Sequence, residues 1–459
     1  MLYTKELPLS ARADVVVCGG GTAGSFAAIA AAEQGADVLL VEQFGSLGGS
    51  ATNGLVVPIM SSHIPGDPGN SYLTARVAER LTARGAAEGR NGRHFDPVAL
   101  SFELEAMCAE AGVRLLYHTF IADVLKDGDT VTGLVVANKA GLSRIEGKVF
   151  IDATGDGDVS VLAGAAYSGG NPDTGKNQPV SLRYIVDGVD KAALGEFALA
   201  HQVGMEPSPR LATYRPPDHF YAAVTSHAVW GFTDIFKQAI ANGDLTEDDE
   251  CYWQVFTIPG RHDSLAFNTP EFFDDVDATD PEQMTRIQTR GKVAIARQMR
   301  FYKKYLKGFD NAYVSSVATM VGVRESRNIL CDHVLTAEEL LRHEKFEDAI
   351  AQSAYPVDIH GKKLYCVAHG GDEEKPYYEI PYRAMLVRGV ENLLVAGRCL
   401  GADFIAQSSL RVQLSARASG EAAGIGAAMA LRAGITPREV HGQDVRREMM
   451  ARGGIFADR

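Results

Sequence analysis

A glycine turn between two apolar segments near the N-terminus constrains this chain more than any other feature. Residues 14–18 read Asp-Val-Val-Val-Cys, and Gly19, Gly21 and Gly24 then fit the pattern G-x-G-x-x-G. An alanine-rich segment and a second apolar run over 37–41 follow. This order predicts a strand, a tight turn, a helix and a parallel strand, which is the unit that binds a dinucleotide.

The three glycines and the acid after the second strand have separate roles in such a unit. Gly19 allows the tight turn, Gly21 lets a pyrophosphate approach the backbone, and Gly24 lets the helix pack on the strand. The helix N-terminus presents free N–H groups and the positive end of its dipole to the phosphates. Glu42 is placed to accept hydrogen bonds from a ribose diol. We therefore predict dinucleotide binding, with a purely structural glycine turn as the alternative.

Charge and composition exclude several other classes of protein. The chain has 459 residues, 58 of them acidic and 45 basic, and a formal net charge of −13. Because the sequence has no basic run, we expect no positively charged surface that would bind nucleic acid or an anionic membrane. No apolar run approaches the roughly 20 residues of a membrane span, and residues 1–8 lack the apolar core of a signal peptide.

The cysteines indicate the compartment. All six are scattered, without a C-x-x-C pair, which suits reduced thiols better than disulfides or a zinc site. We expect a cytoplasmic protein with small-molecule partners and neither nucleic-acid nor membrane partners. Its oligomeric state stays open.

The amino-acid composition of the sequence changes after about residue 168. Aromatic residues, prolines and long polar side chains increase through residue 310, and apolar strands with small residues then return. A chain of this length is expected to form two or three domains or one large composite fold. We predict a discontinuous nucleotide domain, residues 1–168 and 312–459, around an inserted domain at 169–311.

Two later segments repeat the pattern of an apolar strand followed by glycine. They are Asp152-Ala-Thr-Gly155 and Leu393-Leu-Val-Ala-Gly397-Arg398. Together with the N-terminal motif they resemble flavoproteins of the glutathione-reductase-like FAD fold, and most closely the bacterial group of FAD-dependent oxidoreductases. The resemblance runs almost end to end, through residues 47–54, 95–97, 178–180, 322–327, 378–383, 409–412 and 420–424.

The resemblance implies an α/β fold, with a Rossmann-like FAD-binding domain that carries an inserted α+β substrate domain, and FAD as the cofactor. It places residues 48–51 beside the flavin and residues near 120–122 at the adenine, through their backbone. It places the turn at 153–155 near the adenosine half, and residues 397–403 near the ribityl chain and pyrophosphate. The helix at 411–424 would direct its N-terminus at the flavin N1–O2 edge. The predicted cofactor-binding residues are Gly19, Gly21, Thr22, Ala23, Gly24, Glu42, Gln43, Gly48, Gly49, Ser50, Ala51, Ile121, Ala122, Ala153, Thr154, Gly155, Gly397, Arg398, Asp403 and Val412.

Some motifs of related flavoproteins are absent from the sequence. Residues 50–54 contain no cysteine pair, which argues against disulfide exchange. No second G-x-G-x-x-G follows an apolar strand in the middle of the chain, so a dedicated NAD(P)H domain is not expected. The sequence has neither a C-x-x-C set for an iron–sulfur cluster nor an H-E-x-x-H motif, and no metal is predicted.

Three residues are candidates for catalysis. Arg324 stands where the chain returns from the inserted domain, and Arg411 precedes the last long helix. Each could face the substrate, or could instead form a structural ion pair. His63 follows the predicted flavin loop and could act as a general base or flavin attachment point, or could be an ordinary loop residue.

These observations lead to one preferred function and two alternatives. We predict an FAD-dependent oxidoreductase that transfers a hydride between a small polar metabolite and the flavin, with an unknown electron acceptor. The first alternative is a flavin hydroxylase that uses NAD(P)H and oxygen. The second is a non-catalytic FAD-binding redox sensor or assembly subunit.

Overall fold

The computed structural model describes residues 4–203, 205, 212–225, 229–361, 365–367 and 374–457. In these ranges the helices are α1 Thr22–Glu33, α2 Tyr72–Ala83, α3 Pro97–Ala111, α4 Asp158–Leu162, α5 Lys191–Ala200, α6 Thr233–Ala241, α7 Glu247–Cys251, α8 Pro281–Tyr305, α9 Ala337–Leu341, α10 Phe404–Leu410, α11 Gln413–Ala433 and α12 Gly442–Ala451.

The strands alternate with these helices along the chain. They are β1 Leu9–Cys18, β2 Val38–Val41, β3 Ala87–Glu88, β4 His94–Phe95, β5 Arg114–Leu116, β6 Phe120–Asp127, β7 Thr130–Asn138, β8 Gly141–Asp152, β9 Tyr167–Ser168, β10 Val180–Ser181, β11 Tyr184–Asp187, β12 Thr213–Arg215, β13 His219–Thr225, β14 Tyr252–Thr257, β15 Leu265–Phe267, β16 Glu271–Phe272, β17 Tyr313–Val317, β18 Asn328–Ile329, β19 Ala349–Ser353, β20 Val357–Ile359, β21 Tyr365–Val367, β22 Tyr378–Pro381 and β23 Leu393–Val395.

The first large sheet is built on parallel strands. Its order is β5-β2-β1-β8-β7-β6, and β23 pairs with the end of β8. The neighbours β5, β2, β1, β8 and β23 are parallel, whereas β6 and β7 are antiparallel additions. The buried, valine-rich β1 and β2 are typical of a parallel sheet covered on both faces. This sheet with its covering helices confirms the predicted α/β, Rossmann-like fold class.

Helices α1 and α11 pack closely against each other because their facing residues are small. A Cβ atom at Gly420 would lie 2.1 Å from the carbonyl oxygen of Ala23, and one at Gly424 would lie 2.2 Å from that of Ala27. Neither position therefore has room for a side chain. The two glycines bring the returning C-terminal part of the chain onto the N-terminal unit.

We expect Gly424→Ala to destabilise the protein by about 1–3 kcal/mol, because the added methyl group must push the two helices apart. Urea unfolding followed by circular dichroism measures the change. Ala433→Leu is a matched control, since Ala433 lies exposed at the end of the same helix. Equal unfolding free energies for Gly424→Ala and the wild type would contradict this account of the packing.

The second large sheet is antiparallel and has its own apolar core. Its strand order is β12-β13-β14-β15-β11-β17, and α8 supplies buried residues to the same core. The core is rich in aromatic side chains, which are Trp230, Phe232, Phe236, Trp253, Phe267, Phe301 and Tyr302. We propose that the two cores correspond to the two predicted domains. Strand β17 belongs to the second sheet although it follows the predicted return at residue 312, and the boundaries themselves stay predictions.

A buried acid ties α11 to α2. The Oε2 atom of Glu421 accepts hydrogen bonds from Ser71 Oγ at 2.5 Å and from the Leu73 backbone N–H at 3.1 Å. Burial raises the pKa of Glu421 to about 8. The side chain is therefore mostly protonated at neutral pH, and the core holds it as a neutral acid.

We expect the pH dependence of stability to change in Glu421→Gln. Because its pKa is raised in the folded state, Glu421 contributes its full share to the free energy of unfolding below about pH 4. This contribution is lost as the pH rises through about 8. Each unit of difference in pKa corresponds to about 1.4 kcal/mol. Thermal unfolding between pH 5 and 9 should decline less steeply for Glu421→Gln than for the wild type or for the exposed control Glu79→Gln. Parallel profiles would show that Glu421 does not titrate in this range.

Among the described helices, none has the length and apolarity needed to cross a bilayer. The described residues likewise contain no group of three or more His, Cys, Asp or Glu side chains placed to hold a metal ion.

Candidate functional site

The turn after β1 is shaped by the three glycines of the motif. Gly19 has a φ of +91°, and a Cβ atom there would lie 2.7 Å from the carbonyl oxygen of Ala153. A Cβ at Gly24 would lie 1.8 Å from the carbonyl oxygen of Gly19. At Gly21, in contrast, the nearest atom to an added Cβ is 3.9 Å away, on Gly49. Gly19 and Gly24 thus serve the packing of the protein itself, whereas Gly21 leaves open space at the start of α1.

The predicted flavin loop, residues 48–51, lies against the N-terminus of α1. The backbone N–H of Gly48 donates to the carbonyl oxygen of Gly20 at 2.8 Å. Thr22 Oγ1 donates to the carbonyl oxygen of Gly48 at 3.3 Å and lies 3.5 Å from Ser50 Oγ. A Cβ at Gly49 would lie 2.7 Å from the Cα of Gly21. The two backbones are therefore as close as glycine permits.

Glu42 is buried at the end of β2 and faces the glycine turn. Its Oε2 accepts a hydrogen bond from the backbone N–H of Gly20 at 2.6 Å, and its Oε1 accepts one from Phe44 at 2.8 Å. Burial raises the pKa of Glu42. Each oxygen keeps lone-pair capacity for a ligand hydroxyl. The ribose contact of Glu42 stays a prediction, as does any contact of the neighbouring, exposed Gln43.

The start of β6, which carries Ile121 and Ala122, lies beside this acid. The backbone N–H of Thr119 donates to the carbonyl oxygen of Glu42 at 3.1 Å. Ile121 is buried and Ala122 is exposed. The structure thus brings the predicted adenine segment next to the predicted ribose ligand.

The turns after β8 and β23 meet the turn after β1 at the carboxyl end of the sheet. The backbone N–H of Ala153 donates to the carbonyl oxygen of Cys18 at 2.9 Å, and Gly397 has a φ of +89° with its Cβ position 3.1 Å from that of Ala23. Gly155, with a φ of +84°, lies against the guanidinium of Arg398. In open α/β sheets this edge is where ligands bind.

Several predicted cofactor residues also have partners within the protein. Arg398 Nη2 lies 2.8 Å from Asp156 Oδ1, and Thr154 Oγ1 donates to Asp152 Oδ1 at 2.7 Å. Asp403 caps α10, with one oxygen accepting from Ala406 at 2.7 Å and the other from Ala337 at 2.7 Å.

These partners leave the cofactor contacts of Arg398, Thr154 and Asp403 as predictions. Val412 precedes α11 and gives that helix no side-chain cap. The first N–H groups of α11 are therefore not capped by the residue that begins the helix.

A second cluster joins the predicted arginines through residues that the sequence did not single out. Arg324 Nη1 lies 2.8 Å from Glu271 Oε1, which in turn lies 2.9 Å from His360 Nδ1. His360 Nε2 is 3.6 Å from Asp358 Oδ1, and Arg411 Nη2 is 3.3 Å from Asp358 Oδ2. Five charged or titratable groups from four segments thus form one continuous chain, here called the charge cluster.

The charge cluster is buried at Arg324 and Glu271 and half-buried at its other members, and its two acids are held ionised. Burial alone would raise the pKa of Glu271, but Arg324 and then His360 outweigh it, so the pKa lies below its usual value. At Asp358 burial is likewise outweighed, by His360 and then Arg411, and the pKa lies well below its usual value. The side chains of Arg324 and Glu271 are 4% and 1% exposed, so solvent screens this pair weakly.

Hydrogen bonds tie the segments that carry Arg324 and Arg411 to residues 53–58, directly after the flavin loop. Gln413, in the first turn of α11, donates to the carbonyl oxygens of Val56 at 2.9 Å and Pro58 at 3.1 Å. The backbone N–H of Thr319 donates to the carbonyl oxygen of Asn53 at 3.0 Å. Thr319 lies just before Arg324 in the chain, and Gln413 lies just after Arg411. The cluster is therefore linked through these two segments to the residues that follow the flavin loop.

Aromatic side chains border the charge cluster, and one of them contacts His63. Tyr355 Oη donates to Asp358 Oδ2 at 3.0 Å, and the His63 ring lies 5.6 Å from the Tyr355 ring in an edge-on arrangement. The Tyr252 ring lies 5.0 Å from that of His360. His63 is exposed, with its pKa lowered by partial burial. His63 is thus separated from Asp358 by one side chain, and its role as a base stays a prediction.

The structure gives Arg324 an ion-pair partner, but that partner is not the adjacent Glu325. Glu325 Oε1 accepts a hydrogen bond from the backbone N–H of Gly170 at 2.8 Å, and burial raises the pKa of Glu325 to about 7. The ion pair of Arg324 with Glu271 is compatible with a structural role and with a place in a substrate site.

The fold and the glycine turns define a Rossmann-like dinucleotide-binding protein, and comparison with known families specifies it further. Residues 14–449 match the model of the FAD dependent oxidoreductase family. Because this match covers most of the chain, the chain belongs to that family and its cofactor is FAD. The open space at Gly21, the N-terminus of α1 and the lone pairs of Glu42 fit the pyrophosphate and ribose of such a cofactor.

Curated relatives match a part of the chain. A thiamine thiazole synthase from Methanococcus aeolicus is 32% identical over 172 residues, which are 35% of this chain and 61% of that protein. Digeranylgeranylglycerophospholipid reductase 2 from Methanopyrus kandleri is 30% identical over 160 residues, 31% of this chain and 37% of that protein. The chain thus spans less than two thirds of either relative.

Among solved structures, p-nitrophenol 4-monooxygenase from Pseudomonas putida aligns with 96% of this chain and 86% of its own, at 13% identity and a TM-score of 0.48.

Proposed function

We propose that this FAD-dependent oxidoreductase transfers a hydride between a small polar metabolite and its flavin. The observation that carries the proposal is the charge cluster, whose two arginine-bearing segments are hydrogen-bonded to residues 53–58, directly after the flavin loop. When bound, FAD supplies the hydride donor or acceptor. A second small molecule or a protein must then restore the flavin, and this electron acceptor is part of the proposal.

The proposal gives the glycine turns and the cluster different tasks. Gly21, Glu42 and residues 48–51 hold the cofactor through backbone approach, the ribose and the flavin ring. Arg324 and Arg411 orient the polar groups of the substrate, because a guanidinium presents donors in a fixed fork. His360 holds or releases the proton of the reacting group, since imidazole is the side chain most used for proton transfer in enzymes. The adjacent Tyr252 helps to exclude water.

The test is an anaerobic screen of the purified holoenzyme. Small alcohols, sugars, amines and hydroxy acids are added one at a time, and bleaching of the visible flavin absorbance is followed. We expect one chemical class to bleach the flavin, and a variant with His360→Gln to bleach it more slowly at unchanged FAD content. Bleaching by none of these compounds, in either direction of the reaction, would contradict the proposal.

The two alternative functions predict different results in the same flavin assay. A flavin hydroxylase would show rapid flavin reduction by NAD(P)H that a substrate accelerates, followed by oxygen consumption. A redox sensor or assembly subunit would respond to no small donor, and its affinity for a partner would change with the redox state of the flavin.

A further inference from the structure

Beside the charge cluster lies a third arginine, Arg183, which forms no ion pair with any described acid, although the charge of Glu271 acts on it through space. Arg183 lies between β10 and β11 and is 8% exposed. None of the described residues accepts a hydrogen bond from its guanidinium. A Cβ at Gly322 would lie 2.2 Å from Arg183 Nη1, so this guanidinium lies against the segment that leads into Arg324.

The formal charges of the cluster and Arg183 together do not cancel. Arg183, Arg324 and Arg411 contribute three positive charges, whereas Glu271 and Asp358 contribute two negative charges, before any proton on His360. Burial and then the charge of Arg324 lower the pKa of Arg183 to about 9. A buried charge without a partner is costly, and proteins keep one where a ligand supplies the counter-charge.

Unused hydrogen-bond donors accompany this excess charge. Arg324 Nη2 and Arg411 Nε are both buried and donate to no described group. Buried donors are seldom left unsatisfied, because each costs about 1–3 kcal/mol. A carboxylate accepts hydrogen bonds in the planar, paired geometry that guanidinium groups present.

We infer that the substrate of this enzyme carries a carboxylate, which Arg183 and the free donor of Arg324 bind. The inference rests on the proposed function, since it names the substrate class for the same site. An anionic substrate balances the third positive charge and satisfies the buried donors together. Glu271 and Asp358 then reject a second negative charge close to them, which favours a substrate with one carboxylate.

The test is equilibrium binding of acetate, lactate and glycolate to the oxidised holoenzyme, with acetamide, lactamide and glycolamide as neutral counterparts. Perturbation of the flavin spectrum and the melting temperature report binding without turnover. We expect the acids to bind at least tenfold more tightly than the amides. Arg183→Met should weaken acid binding about tenfold to a hundredfold and leave amide binding unchanged, because the lost contacts are to a charged group.

Stability separates a ligand-binding role of Arg183 from a structural one. Removing an unpaired buried charge should raise the melting temperature of the ligand-free protein, so Arg183→Met is expected to be more stable than the wild type. Arg286→Met, an exposed change on α8, is the matched control and should alter neither stability nor acid binding. A less stable Arg183→Met with unchanged acid binding would overturn the inference.

The screen also separates failure of this inference from failure of the proposed function. Flavin bleaching by a neutral compound, with no preference for acids over amides, would overturn the carboxylate and leave the hydride transfer intact. Tight, Arg183-dependent binding of acids without bleaching by any compound would support the carboxylate site and contradict the hydride transfer.

Discussion

A Gly21→Asp variant should fold as well as the wild type and yet purify without FAD. The space at this position is free of protein atoms out to 3.9 Å, and the backbone at Gly21 has a φ of −70° that any residue adopts. Gly21 also caps α1, a position at which aspartate is favourable. The added carboxylate would meet the pyrophosphate, and like charges in contact cost about 4 kcal/mol, or a thousandfold in affinity.

Acid precipitation followed by chromatography measures the FAD content, and circular dichroism measures the folding. Ala140→Asp is the matched control, because it adds the same charge in the exposed turn between β7 and β8 and should retain FAD. Gly24→Ala should lose both the fold and FAD, since its Cβ would lie 1.8 Å from a carbonyl oxygen. A folded Gly21→Asp with full FAD content would show that the cofactor does not approach this turn.

The Arg324→Met variant should be less stable than the wild type and should reduce its flavin more slowly. Removal of Arg324 leaves the buried Glu271 without its guanidinium partner, and breaking a buried pair in this way costs about 3–5 kcal/mol. Flavin reduction by an identified substrate should also slow by about a hundredfold to a thousandfold if the guanidinium stabilises developing charge. Urea unfolding and stopped-flow absorbance measure the two effects separately.

The double variant Arg324→Met/Glu271→Gln distinguishes the two roles of Arg324. It removes both charges of the pair and should recover much of the lost stability. Slow flavin reduction in this stable double variant would support a place for Arg324 in the substrate site. Recovery of the wild-type rate together with stability would mean that Arg324 only holds Glu271 in place. Arg411→Met, which breaks the weaker contact with Asp358, should show a smaller loss of stability.

The N-terminal unit could be predicted from the sequence because its signals are local. The glycine turn, the alanine-rich helix and the apolar strand after it are neighbours along the chain, and they form β1, α1 and β2. Asp96 and Pro97 likewise mark the start of α3 by a cap that needs no other segment. Such features depend on the chemistry of a few adjacent residues.

The charge cluster could be predicted only in part because it is assembled from distant segments. Arg324 and Arg411 stand at visible chain positions, beside a glycine and before a helix. Glu271, Asp358 and His360 lie in short strands or beside them, with no motif around them. What gives these three residues a role is their mutual contact, and contact between distant segments has no signature in a single sequence. The pairing of β17 with β11 could not be predicted for the same reason, because the two strands are distant in the sequence.

The packing of α11 on α1 has a consequence for how the protein is made. The glycines of α11 complete the surface of α1, yet α11 ends 400 residues after α1, at Ala433 against Glu33. At about 5–20 residues per second, a ribosome needs roughly 20–80 s to cover that interval. Throughout this time the nascent chain exposes an apolar helix face and the edge of β8 that β23 later covers. The N-terminal unit therefore cannot bury these surfaces until the last part of the chain has been made.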